Sequence, residues 1–278
     1  MIVPDNIRQC VAFLGVRKAN GEFQLAGSVF WVGQEHAPKP EGGLSQAEPV
    51  YAVTARHVID AIRNIGASEV YLRVNLASGN AAWVKSELSD WYAHPTDSTI
   101  DVSILKTGVP NDWDHVVVPY SLCVTETHIK QHEIGLGDEV FVTGLFRHHH
   151  GTLRNIPIVR VGNLSSMAEE KVQTRDFGLM EALLVEARSI GGLSGSPVFV
   201  NLGVTRMIGG QVKHATSNPI FFLIGLIHGH FDVATGSIDA AETDAIDSVS
   251  AQHVNTGIAI VTPFHNARRV IDAFEKGS

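Results

Sequence analysis

Short apolar segments separated by glycine-, proline- and asparagine-rich turns run the length of this chain, and that punctuation constrains its fold more than any other feature. Residues 11–16, 27–32, 50–54, 70–75, 82–84 and 102–105 form a first set of such segments, and 139–143, 158–164, 182–187, 197–200, 221–227 and 257–261 a second. Strands this short and evenly spaced argue against alternating βαβ units and predict an all-β barrel or sandwich. Two helices stand out. Residues 58–65 carry apolar side chains at helical spacing, with Gly66 as a stop. Near the end, Thr262 offers an N-cap and Pro263 a first-turn proline, after which Phe264, Ala267, Val270, Ile271 and Phe274 share one face. That stripe is expected to pack on the second set of strands. With 278 residues the chain has room for two domains of ordinary size. A turn-rich connector around 106–120 separates a first unit, 1–115, from a second, 116–278.

The most chemically pointed stretch is Gly191-Gly192-Leu193-Ser194-Gly195-Ser196-Pro197. A serine hydroxyl becomes a nucleophile only when the backbone turns to project it, peptide N–H groups face the developing oxyanion, and a base lies in reach. Glycines meet the first two needs, because without Cβ they adopt positive φ and let other atoms approach. The oxyanion donors would be the N–H groups of Gly192 and Ser194. Upstream, an apolar strand runs into Thr54-Ala55-Arg56-His57, and Asp101 opens the alternating Val102-Ser103-Ile104-Leu105. The order His57, Asp101, Ser194 is one of the chain orders of the hydrolytic triad. Asp97 is a rival carboxylate, but it lies in the polar Pro95-Thr96-Asp97-Ser98 run, which reads as a turn.

Together these segments resemble the chymotrypsin-fold (trypsin-like) serine proteases, and most closely the single-chain bacterial HtrA-type and glutamyl endopeptidase branch. The resemblance extends to Gly27-Ser28-Val29-Phe30, Leu136-Gly137-Asp138-Glu139-Val140, Gly225-Leu226-Ile227 and Gly257-Ile258-Ala259. It implies two six-stranded antiparallel Greek-key β-barrels and a C-terminal α-helix. The first barrel would supply His57 and Asp101, and the second Ser194. It also implies a serine endopeptidase that needs no cofactor and no metal and acts on a protein or peptide substrate. Arg188, Ser189, His228, Gly229, His230 and Gly257 would line the S1 pocket, where a cationic character would disfavour Lys or Arg before the cut. Glutamyl endopeptidases carry Gly-Ile-His-x-Gly on that wall; here Gly225-Leu226-Ile227-His228 is one residue longer before its histidine. Leu193 stands where digestive proteases have an aspartate that pairs with a new amino terminus, so no proteolytic activation is expected. No PDZ-type module is expected after the terminal helix. The alternative is a latent or inactive protease-fold module, switched on by a regulatory protein partner.

Composition narrows the remaining classes. A net charge of −8 offers no basic footprint for nucleic acid or anionic lipid. The longest apolar run, 219–227, is far short of the roughly 20 residues needed to span a bilayer. Val58 replaces the cysteine that follows the catalytic histidine in secreted animal relatives, and only Cys10 and Cys123 occur, both expected as small buried hydrophobes. With no targeting segment in residues 1–20, these features predict a cytoplasmic protein. Three segments read as inserted loops, 34–49, 146–156 and 233–256, the last two expected to flank the substrate cleft. His148-His149-His150 in the second reads as a solvated loop, since three adjacent histidines cannot converge on one ion.

Overall fold

The computed structural model describes residues 3–34, 49–187, 192–214, 220–235 and 252–277. Its first half holds β1 (Val11–Arg17), β2 (Phe23–Gly33), β3 (Val50–Thr54), α1 (Arg56–Asn64), β4 (Glu69–Asn75), β5 (Ala81–Glu87), β6 (Tyr92–Ala93), β7 (Ser103–Thr107) and β8 (Val118–Pro119). The second half holds α2 (Glu126–His132), β9 (Glu139–Gly144), β10 (Ile158–Ser166), β11 (Lys171–Thr174), β12 (Gly178–Glu181), β13 (Leu183–Glu186), β14 (Pro197–Asn201), β15 (Thr205–Ile208), β16 (Gln211–His214), β17 (Phe221–Thr235), β18 (Gln252–Pro263) and α3 (Phe264–Gly277). Each segment predicted as a strand forms one. Among the described residues no helix is long and apolar enough to cross a membrane.

The second half closes as expected, into a six-stranded antiparallel barrel ordered β10-β13-β18-β17-β14-β9. The first half differs from the closed six-stranded barrel implied by the resemblance. It is an eight-stranded sheet ordered β5-β4-β1-β2-β3-β7-β6, with β8 pairing in parallel to β2. A 3-10 turn at Leu88–Asp90 joins β5 to β6, the two ends of the sheet order, and β6 is only two residues long. Within that connection, Trp91 Nε1 donates back to Ser86 Oγ on β5 at 3.0 Å.

Strand alternation explains how the halves join. On β9, Val140 and Val142 point into the barrel core, and on β14 so do Val198 and Val200. Their neighbours Phe141 and Phe199 point the other way, into the apolar cluster of the first sheet, and stack at 5.1 Å. The terminal helix joins the same cluster. Phe264, Ala267, Val270 and Ile271 are buried there, and Phe274 meets Tyr92 edge-on at 5.3 Å. The α3 stripe therefore packs into the core shared with the first sheet, not onto the second barrel alone. Thr262 is likewise not the expected N-cap: it lies in β18, and its buried hydroxyl has no hydrogen-bond partner among the described residues. Cys10 and Cys123 are buried free thiols, as their small apolar character predicts.

Candidate active site

Helix α1 starts immediately after β3 and presents His57 in its first turn. Its N-cap residue, Ala55, has no side chain that can accept from the free helix N–H groups. Asp101 supplies the missing acceptor from the segment before β7. One oxygen, Oδ1, accepts from His57 N–H at 2.9 Å, and the other, Oδ2, meets His57 Nδ1 at 2.8 Å. The carboxylate is fully buried while the imidazole is half-buried, so Asp101 fixes the ring from beneath and leaves its other edge facing the cleft. Asp97 is engaged elsewhere, with Thr99 and Arg269.

Electrostatics follows from this geometry. Burial pulls the His57 pKa down, but the Asp101 charge and hydrogen bond outweigh it, aided by Asp176 and Asp60, and the net shift is upward. Burial pushes the Asp101 carboxyl up, yet His57 and His228 outweigh it and hold it well below the usual carboxylate range.

Ser194 sits on a turn stitched to both halves of the molecule. Its carbonyl accepts from Ser28 N–H of β2 at 2.9 Å, and Gly195 N–H donates to Ile227 O of β17 at 2.8 Å. Ser28 Oγ donates to Gly192 O at 3.1 Å and accepts from Leu145 N–H at 2.9 Å. Gly195 has no substitute here: its φ is +82°, and a Cβ would lie 2.3 Å from Ser28 O and 2.4 Å from Thr54 Oγ1. Gly192 also has positive φ, at +106°. Leu193 is buried in the barrel core, an apolar anchor at that position.

His57 and Ser194 line one hollow of about 290 Å³, together with Leu25, Ala26 and Arg147. The Ser194 hydroxyl donates to the His228 carbonyl at 3.3 Å, and among the described residues its hydrogen-bond partner is that carbonyl, not the His57 ring. A second hollow of about 580 Å³ lies beside His57, lined by Arg56, Asp60, Ser98, Asp176 and Phe177. The predicted 146–156 loop flanks the first hollow through Arg147, whose guanidinium donates to Ala26 O at 3.0 Å. It is fastened to the first sheet: Asn155 N–H donates to Asn75 Oδ1 at 2.6 Å, and Arg73 donates to Asn155 Oδ1 at 2.8 Å.

The residues expected to line S1 have separate fates. Arg188 and Ser189 lie outside the described residues, as do parts of the 34–49 and 233–256 loops. Gly229 and His230 follow on β17, where His230 Nε2 pairs with Asp232 at 3.2 Å. Gly257 lies on β18 with φ +83°. His228 departs from the expectation. It is buried, and its Nδ1 meets Asp101 Oδ2 at 2.5 Å, so its side chain belongs to the Asp101 cluster instead of a pocket wall. Alternation sets the side: Leu226 packs in the cluster of the first sheet and Ile227 in the barrel core, so His228 faces the first sheet, beside a register shift between Ile227 and Gly229. Sequence reasoning missed Phe177 as well. Its ring, at the turn between β11 and β12, lies edge-on 5.5 Å from His228 and 6.5 Å from His57.

Among the described residues, His57, Asp101 and His228 are the one trio of metal-type donors within 4.8 Å of one another. Both Nδ1 atoms are directed at the carboxylate, the arrangement of two donors on one acceptor. His148, His149 and His150 do not converge in this way; His150 Nδ1 instead meets Arg147 O at 3.1 Å.

No family model matches the chain, and no curated protein matches it in sequence. Among solved structures it is similar to Deg5, with TM-score 0.51 and 15% identity over 96% of this chain and 89% of that one. It is also similar to the MamO protease domain from Magnetospirillum magneticum in its apo form (0.49; 14%; 95% and 96%). A third is Rv3671c from M. tuberculosis in an inactive serine-to-alanine mutant form (0.46; 12%; 95% and 87%). At these identities the likeness is one of fold: the chain has a trypsin-like protease fold. Function must be argued from the site.

Proposed function

We propose that this chain is a serine endopeptidase. The observation that carries the reading is the double grip of Asp101 on His57, through main chain and ring, with Ser194 on the same hollow. In this reading Ser194 Oγ turns from the His228 carbonyl toward His57 Nε2 and attacks the scissile carbonyl as His57 takes its proton. The oxyanion is met by the N–H groups of Gly192 and Ser194, donors worth several kcal/mol when aimed at the developing charge. His57 then protonates the leaving amine, and a water repeats the cycle on the acyl-enzyme. Asp101 touches no substrate atom; it holds the imidazole with Nδ1–H inward and stabilises the imidazolium. Substrates are protein or peptide segments, and a lysine or arginine before the cut is disfavoured if Arg188 enters the pocket. Two buried free thiols and the acidic net charge support a cytoplasmic setting without membrane or nucleic-acid partners.

The Ser194 hydroxyl on the His228 carbonyl favours a second reading, in which the site is latent until a regulatory protein partner realigns it. A fluorophosphonate probe on the full chain tests both. The expected result is one equivalent of label, lost in Ser194→Ala and strongly reduced in His57→Ala. Label that appears only after lysate is added supports the latent reading. Label that persists in Ser194→Ala overturns both.

A further inference from the structure

Asp101 serves two imidazoles. Its Oδ2 meets Nδ1 of His57 at 2.8 Å and Nδ1 of His228 at 2.5 Å, from elements 127 residues apart for the second pair. An ionised carboxylate only accepts hydrogen bonds, so both rings present Nδ1–H to the same oxygen. The rings lie 5.2 Å apart at 75°, and Phe177 caps both with its edge. Asp60 on α1 and Asp176 at the β11–β12 turn act on His57, while Arg56 is paired with Asp60 at 3.1 Å. On β17, His230 is paired with Asp232. Asp101 is thus the one ionised group bonded to both rings among the described residues.

One negative charge cannot serve two donors independently. A second charge-assisted bond on Oδ2 draws electron density away from the first and fixes the carboxylate's orientation.

Resting on the triad reading above, we propose that His228 is a positioning residue for the reaction. Its Nδ1–H pins Asp101 Oδ2 and tempers the carboxylate's hold on protonated His57, which keeps His57 free to act as a base at lower pH than Asp101 alone would allow. The effect is transmitted through Asp101, and His228 itself moves no proton of the substrate.

The test is heteronuclear NMR of the histidine side chains in the full chain, run beside the pH dependence of fluorophosphonate labelling. His228→Phe keeps a flat ring and removes the donor; His228→Asn returns a neutral N–H at the position of Nδ1. In His228→Phe the His57 titration midpoint is expected to rise by about one pH unit, the scale of one hydrogen bond to a charged group. The acid limb of labelling should move with it. In His228→Asn most of that rise should be reversed. An unchanged His57 midpoint in His228→Phe overturns the inference, and if labelling at Ser194 persists the triad reading stands without it. A shifted midpoint in a chain that never labels upholds the coupling and removes the endopeptidase reading. Should His228→Phe not fold, the wild-type spectrum decides: two low-field Nδ1–H protons are expected, and a single one overturns the proposal.

Discussion

Replacing Asp101 by asparagine separates the carboxylate's charge from its shape. The native group accepts three hydrogen bonds: from His57 N–H, His57 Nδ1–H and His228 Nδ1–H. Asparagine has one acceptor oxygen. If that oxygen stays on the His57 main chain, the amide nitrogen faces two N–H donors; if it flips, the helix N–H is left facing a donor. Either way at least one bond to a charged group is lost, worth about 1.5–3 kcal/mol, and one buried donor is stranded. The sum is a destabilisation of about 3–5 kcal/mol in Asp101→Asn, typical of breaking a buried charged pair.

The pH dependence of that difference fixes its origin. Asp101 has a depressed folded pKa, so its contribution is fully present above the unfolded carboxyl value near 3.9 and fades as pH falls through the lower folded value. His57 has a raised folded pKa, so its contribution is full below the unfolded value near 6.5 and fades as pH rises through the folded one. The gap between wild type and Asp101→Asn should therefore be widest at about pH 5, between the two unfolded values, smaller once pH passes the raised folded value of His57, and shrinking below about pH 4. Urea unfolding across that range measures it. In the endopeptidase reading, probe labelling should also fall by about a thousandfold or more, because the wrong imidazole tautomer is then favoured. A variant within about 1 kcal/mol of wild type at every pH, labelling at the native rate, would refute the reasoning.

Two further substitutions test the frame around the site. Gly195→Ala places a methyl 2.3 Å from Ser28 O at a φ of +82°; thermal unfolding should show a loss of more than about 3 kcal/mol, and a neutral result would mean the turn is built differently. Phe199→Ala empties a fully buried site in the seam between sheet and barrel. It should cost about 3–5 kcal/mol by urea unfolding, and a loss below about 1 kcal/mol would show that the seam does not hold the halves together.

The strands were legible because each is an apolar run bounded by turn residues, and burial in this fold demands that pattern on nearly every strand. What escaped was held by contacts the local sequence does not advertise. The β15–β16 hairpin exposes Met207 and Val212, and so lacks a buried face to leave an alternating signature. It is anchored by Arg206, whose guanidinium grips Asp138 through bonds of 2.7 and 2.6 Å. Helix α2 has only seven residues and rests on a capping box between Thr125 and His128, too short for apolar periodicity to speak. The open first sheet escaped for a related reason: whether β5 and β6 meet depends on a two-residue strand, below the length at which any pattern registers.

The pairing of His57 with Asp101 is legible because each stands at the edge of an apolar strand, one after β3 and one before β7; Ser194 shares a hollow with His57, while its hydroxyl meets the His228 carbonyl. His228 stands in equally plain view, yet its side chain meets Asp101 and not the wall that the resemblance implies. Comparison with the Gly-Ile-His-x-Gly pattern placed a histidine on the pocket wall, while the extra residue before it signalled the opposite face. The structure follows the extra residue: Ile227 turns into the barrel core and His228 turns away from it. Alternation alone could say which side His228 leaves by, but not what waits there. That depends on the docking of β17 against Asp101 from the first sheet, a meeting of segments 127 residues apart. A buried polar residue that a strand pattern expels from one site must find its partner in another. In a two-part fold, the fully buried carboxylate at the seam is the acceptor able to take it.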